Sequence, residues 1–218
     1  MTDSFNYVYG KHDDPFYYGL RPSTKLEQFL NDTHPLTGEA LDLGCGEGRN
    51  SLLLARYGFH VHAIDASRQG IQKLEHYAAS QGLHTIDCSV ADVRTVQPTP
   101  NTYDAIVAVT ILDHITQQEG KKVAASLIDA LKPGGFIFVE TFTVHDPGAK
   151  LSKEEGKSIS ETASFVKHYF DEGELATWFP ELETLLYEEF MKYDDGHGTP
   201  HYHGLACFIG KKRLLDEW

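Results

Sequence analysis

Leu41-Asp42-Leu43-Gly44-Cys45-Gly46-Glu47-Gly48-Arg49-Asn50 sets a short apolar run against a loop with glycine at every second position. Ser51-Leu52-Leu53-Leu54-Ala55 follows with a helical pattern. Glycines at a strand-to-helix turn allow unusual backbone angles and let a ligand approach the main chain. The helix start offers N–H groups and a partial positive charge that suit a carboxylate or phosphate. Asp65 ends the next apolar run about 20 residues beyond Gly44, the separation at which an acid meets both hydroxyls of a ribose.

Outward from this loop the chain alternates strand-like and helical patterns. Ala40–Leu43, His60–Ile64, Thr85–Ser89, Tyr103–Val109 and Phe136–Thr141 are short apolar runs bounded by Gly, Asp or Pro. Between them, Ile71, Leu74 and Ala78 share one helical face, as do Val123, Leu127 and Leu131. Strands alternating with helices predict a doubly wound α/β fold, a mostly parallel sheet covered on both faces. Two further strands, near 182–193 and 201–210, are joined by a Gly- and Pro-containing turn and predict an antiparallel C-terminal hairpin. The whole length, 1–218, reads as one domain with seven strands.

Two segments stand outside that rhythm. Residues 1–35 open with aromatics, including Tyr9, Phe16, Tyr17 and Tyr18, which must dock somewhere. A helix is expected after Pro22, capped by Thr24-x-x-Glu27, so the segment reads as an N-terminal helical cover. Residues 142–170 are polar, carry Lys150, Lys153, Lys157 and Lys167, and read as a lid insertion. A second capping pattern, Asp171-x-x-Glu174, predicts a short helix with Leu175, Trp178 and Phe179 turned inward.

Composition narrows the classes of function. With 19 Lys and Arg against 32 Asp and Glu, the net charge of −13 argues against a nucleic-acid partner, whose phosphates are gathered by cations. Three cysteines without a C-x-x-C pair exclude a zinc ribbon and a disulfide framework. No basic start leads into an apolar run, and no stretch approaches the roughly 18 apolar residues that span a bilayer. The expectation is a cytoplasmic protein with no membrane partner.

The glycine spacing, G-x-G-x-G, departs from the G-x-G-x-x-G of dinucleotide sites. Asp42 precedes the first glycine by two residues, where an acid or its backbone meets a cationic amino group. An amino-acid-bearing nucleoside fits better than a pyrophosphate. Leu41 through Asn50, with His62-Ala63-Ile64-Asp65-Ala66-Ser67, resembles the cofactor motifs of class I S-adenosylmethionine (SAM)-dependent methyltransferases. Ala91-Asp92-Val93, Tyr103-Asp104-Ala105-Ile106-Val107 and Leu131-Lys132-Pro133-Gly134-Gly135 resemble later motifs of that superfamily, in order. Gly46 to Asn50 and Tyr18-Gly19-Leu20-Arg21-Pro22-Ser23 are most similar to small bacterial tellurite-resistance-type methyltransferases.

The resemblance implies a methyl transfer from SAM to a small-molecule acceptor, with S-adenosylhomocysteine (SAH) as product. It places Gly44, Gly46 and Gly48 at the methionine part, Asp65 at the ribose, Asp92 and Val93 at the adenine, and Val109 and Thr110 beneath the ligand. Asp42, Cys45, Asn50, Ala66 and Ser67 belong to the same motifs, while Cys45 reads as a small buried residue and not a nucleophile. Tyr9, Tyr18 and Arg21 are candidates to close over the site. His114, after the fourth strand, and His201 and His203, on one face of the last strand, are the candidate acceptor-side groups. His197 clusters with the last two, but no acid is fixed beside them by spacing, so no metal is expected. His60 and His62 read as a partly solvated strand face. The alternatives are an NAD-dependent reductase on a related sheet and a non-catalytic SAM- or SAH-binding protein.

Overall fold

A seven-stranded sheet in the order β3-β2-β1-β4-β5-β7-β6 organises the chain. The computed structural model describes residues 2–10, 16–151, 165–195 and 200–214. The strands are β1 (Glu39–Leu43), β2 (His60–Asp65), β3 (Ile86–Val90), β4 (Tyr103–Val109), β5 (Leu131–Phe142), β6 (Glu183–Asp194) and β7 (His201–Lys211). β1 to β5 pair in parallel, and β7 runs antiparallel to both β5 and β6. The predicted sheet, with its reversed last strand, is the one observed.

Alternation along β4 builds both sides of the core. Ala105, Val107 and Val109 face one layer, with Leu52 and Leu54 of α3 (Arg49–Arg56) and Ile71 and Leu74 of α4 (Arg68–Ser80). Ile106 and Ala108 face the other layer, with Val123 and Leu127 of α5 (Gln117–Ala130) and Leu175 of α7 (Glu174–Thr177). Trp178 and Phe179 join that second layer, as their apolar character predicts. The β3–β4 connection, residues 91–102, contains turns but no helix, so the second layer stops short of β2 and β3.

The N-terminal segment forms α1 (Thr2–Gly10) and α2 (Thr24–Thr33). Tyr9 is buried, as the aromatic content suggests, while Tyr7 stays exposed. The cap of α2 is Ser23, not Thr24, because the Ser23 hydroxyl accepts from Leu26 N and leaves Thr24 as the first helical residue. At the second predicted cap, the Glu174 carboxylate accepts from Asp171 N at 3.0 Å, but Gly173 at φ 75° opens the helix. Of the candidate lid, residues 142–151 and 165–170 are described, including α6 (Pro147–Leu151) and a bridge between Thr143 and Phe170. Lys153 and Lys157 lie outside the described residues.

Candidate active site

In a sheet of this order the connections leaving β1 and β4 diverge to opposite faces, opening a crevice beyond their carboxyl ends. A cleft partly open to solvent occupies that position. Every strand around it contributes an end: Gly44 to Glu47 after β1, Asp65 and Ala66 from β2, Val93 after β3, Val109 to Ile111 from β4, Glu140 and Phe142 from β5. Because β7 is reversed, its first residues meet the last residues of β5, with Phe142 opposite Leu205. That pairing brings His203 and Leu205 to the cleft, and β6 adds Lys192 and Asp194.

The glycine loop is held largely by its own backbone. Gly44 N and Cys45 N both donate to the Ile64 carbonyl, and Gly48 N donates to the Cys45 carbonyl. Gly46 N donates to Asp65 Oδ2 at 2.9 Å, while Ser67 N donates to Asp65 Oδ1 at 2.7 Å. Each Asp65 oxygen therefore keeps one lone-pair site open beside the cleft. Burial raises the Asp65 pKa and the two amides oppose that rise. Glycine is required at 46, where φ is +57° and a Cβ would stand 2.8 Å from the Tyr9 hydroxyl oxygen.

Glu47, inside the loop, ties the N-terminal cover down. Its carboxylate accepts from Tyr17 N at 2.7 Å and Tyr18 N at 3.3 Å, and pairs with Lys73 at 2.7 Å. Tyr9 and Tyr18 meet edge to face and both line the cleft. Asn50 lines it too, while its Oδ1 accepts from Ser23 N and locks α2 to α3.

Opposite the loop lie the acceptor-side candidates. His114 ends a 3₁₀ turn, Leu112–His114, directly after β4 and is buried against the Phe5 ring. Its Nδ1 has no hydrogen-bond partner among the described residues. Thr110 sits just before that turn at φ +48°, a strained angle for a β-branched residue that marks the crevice. His203 Nδ1 lies 2.9 Å from Asp146 Oδ2, and His203 Nε2 lies 2.9 Å from His201 Nε2. Asp146 is itself buried and fixed by the amides of Gly148 and Gly204. Spacing did not reveal this acid, because the β5–β7 pairing brings it to His203 across 57 residues.

The remaining predicted residues lie elsewhere or serve other contacts. Asp42 is 1% exposed and accepts from the Ser51 hydroxyl at 2.6 Å, so its carboxylate faces the packing under α3 and does not line the cleft. Gly48, at φ +91°, meets the Leu74 side chain. Ser67 caps α4 and donates to Asn6, away from the lining. Asp92 is gripped by Arg94, and only its neighbour Val93 reaches the cleft. Arg21 is exposed and outside the lining. Cys45 lines the cleft, yet burial pushes its thiol pKa up, consistent with the inert reading. His197 lies outside the described residues. Glu140, Asp146, Tyr169 and Lys192 line the cleft without having been singled out, although Glu140 is conspicuous as one acid in the apolar run Phe136-Ile137-Phe138-Val139-Glu140.

Fold and crevice together define a doubly wound α/β protein with an open crevice where its sheet order reverses. Residues 40–135 match the family model described as methyltransferase domain. The ubiquinone biosynthesis O-methyltransferase of Xylella fastidiosa (strain 9a5c) is 35% identical over 121 residues, covering 52% of this chain and 46% of that protein. The chain spans about half the length of the first curated relatives it matches. Among solved structures, TehB from Haemophilus influenzae superposes with a TM-score of 0.72 at 20% identity, over 96% of this chain and 67% of that one. The N-methyltransferase NodS from Bradyrhizobium japonicum WM9, in complex with SAH, superposes with a TM-score of 0.68 at 14% identity, over 97% of each chain. Residues 40–135 thus match a methyltransferase domain, and the fold is that of class I SAM-dependent methyltransferases.

SAM is the cofactor of that class, and SAH its product. The residues here fit it: Asp65 keeps acceptor capacity on both oxygens for a ribose diol, Val93 offers an apolar wall, and the His114 Nδ1 is an orphaned polar atom in the lining. Among the described residues, no helix is long and apolar enough to cross a membrane.

Proposed function

We propose that this protein methylates a small, uncharged molecule at a hydroxyl or amine that gives up its proton to His203. When bound, SAM supplies an electrophilic methyl group on a sulfonium centre. Asp65 and Val93 hold the nucleoside, the 44–48 loop shapes the methionine end, and Tyr9 with Tyr18 excludes water from above. Alignment and water exclusion carry most of such a displacement, and proton removal adds to it when the acceptor is a poor nucleophile.

The observation that carries the proposal is the Asp146–His203–His201 chain at the cleft wall. Asp146, accepting from Nδ1–H, fixes the tautomer in which His203 Nε2 holds the lone pair. An acceptor O–H or N–H that takes the place of His201 beside Nε2 gives its proton there, and the Asp146 carboxylate stabilises the imidazolium formed. His201, outside the cleft lining, has its Nε2 2.9 Å from that nitrogen and is the group the acceptor displaces. A neutral acceptor suits a wall that mixes Lys192 and Arg49 with Glu140 and Asp194, in a protein of net charge −13. The narrower tellurite-type resemblance would require an anionic acceptor to be gathered against that field.

The test is SAH release from SAM over a panel of phenols, catechols, amines and inorganic oxyanions. His203→Ala is expected to lower turnover of the best hydroxyl or amine acceptor by about 10²–10³ while SAM binding persists. Asp146→Asn should also lower turnover while SAM binding persists. Wild-type turnover by His203→Ala, or turnover confined to oxyanions, would overturn the proposal.

A further inference from the structure

At the end of the sheet opposite the cleft, three side chains converge on one point. His60 and His62 alternate with the core residues Val61 and Ala63, so both imidazoles stand on the other face of β2. That face is left bare there, because residues 91–102 form no helix. Glu39, paired with His60 at the start of β1, brings its Oε2 to 3.0 Å from His60 Nδ1 and 3.2 Å from His62 Nε2. The three ligand atoms all lie within 4.8 Å of one another. We propose that Glu39, His60 and His62 form a binding site for a divalent transition-metal ion, with zinc as the best-suited ion and an open position for water.

Three features separate this cluster from an ordinary solvated strand face. The two distances from Glu39 to the imidazoles are close to those of a tetrahedral site, where bonds of about 2.0–2.1 Å put ligand atoms about 3.3 Å apart. Each imidazole also has its second nitrogen engaged: His60 Nε2 lies 3.3 Å from Asp87 Oδ2, and His62 Nδ1 lies 3.1 Å from the Tyr103 hydroxyl. Those contacts are compatible with the tautomers in which His60 Nδ1 and His62 Nε2 carry lone pairs toward a metal, the role outer partners play at metal-bound histidines. Charge also balances. Among the described residues Glu39 and Asp87 form ion pairs only with these histidines, so neutral imidazoles leave two carboxylates to offset one divalent ion. Zinc accepts this mixed nitrogen and oxygen set, and three protein ligands leave the fourth position free.

The experiment titrates zinc chloride into the metal-free full-length chain by calorimetry. One zinc is expected to bind per chain. Affinity should fall by about 100-fold or more in His62→Ala and about 10-fold in Tyr103→Phe, and persist in His203→Ala. SAH binding by His62→Ala should match wild type, which shows that the variant is folded. Substoichiometric cobalt should broaden the backbone amide signals of residues 39 and 60–62 of wild type before any others. Absence of zinc binding, a loss that follows His203 and not His62, or broadening centred on residues 201–203 would overturn the assignment.

Discussion

Asp42 shows how a motif acid can serve the fold while sitting next to the cofactor loop. Its carboxylate is sealed beneath α3 with one hydroxyl partner, Ser51, and burial raises its pKa from 3.8 to about 6, with Asp65 adding to the rise. A carboxyl whose folded pKa lies above its unfolded value binds more protons in the native state between those two values. The protein therefore gains stability from Asp42 as pH falls from above 6 toward 4, and loses it as pH rises. The full shift of about 2 units corresponds to about 3 kcal/mol, of which about 1.4 kcal/mol develops between pH 8 and pH 5. Asn at this position keeps an acceptor for Ser51 and removes the charge. Urea denaturation of wild type and Asp42→Asn at pH 8 and pH 5 isolates the group, because the titrations of groups not coupled to Asp42 cancel in the difference. Asp42→Asn should gain on wild type by about 1.4 kcal/mol on going from pH 5 to pH 8, with SAH binding little changed. A difference independent of pH, or one of opposite sign, would refute the assignment of Asp42 to a desolvated position.

Two further substitutions test how the cleft is built. Glu47→Ala removes the acceptor for two cover amides and the Lys73 pair, so it should destabilise the chain by about 2–3 kcal/mol and weaken SAH binding, measured by thermal melting and calorimetry. An unchanged SAH affinity would mean that the cover does not close the cofactor side. Gly48→Ala would place a Cβ 2.2 Å from Leu74 Cδ1 at φ +91°, which should cost about 2 kcal/mol or more in urea denaturation. Stability equal to wild type would show that α4 can retreat from the loop.

The legible parts of the sequence were those governed by local period and by glycine. Alternation gave the strands their order of appearance, and the 3.6-residue spacing of Ile71, Leu74 and Ala78 gave α4 its buried face. The G-x-G-x-G loop with Asp65 located the crevice, since strand ends and glycine turns are local features. Contacts made across the sheet were not legible. Asp146 reaches His203 only because β7 runs antiparallel beside β5, and no spacing rule encodes that pairing. The same limit hid the hook formed by Glu47 on Tyr17 and Tyr18. Asp42 and Gly48 belong to the motif, but packing uses them: which side of a strand or turn a residue faces depends on the helix laid over it. Ser23 replaced the predicted Thr24 as cap for a related reason, since the tie from Ser23 N to Asn50 fixes where α2 starts.

The central claim is that the crevice beyond β1 and β4 holds the nucleoside of SAM through Asp65. Calorimetric titration of SAH into wild type and Asp65→Ala tests it most directly. One SAH should bind per wild-type chain, and the variant should lose about 3 kcal/mol, roughly 100-fold in affinity, through the missing carboxylate contacts. Failure of wild type to bind SAH, or equal affinity in the two proteins, would contradict the account.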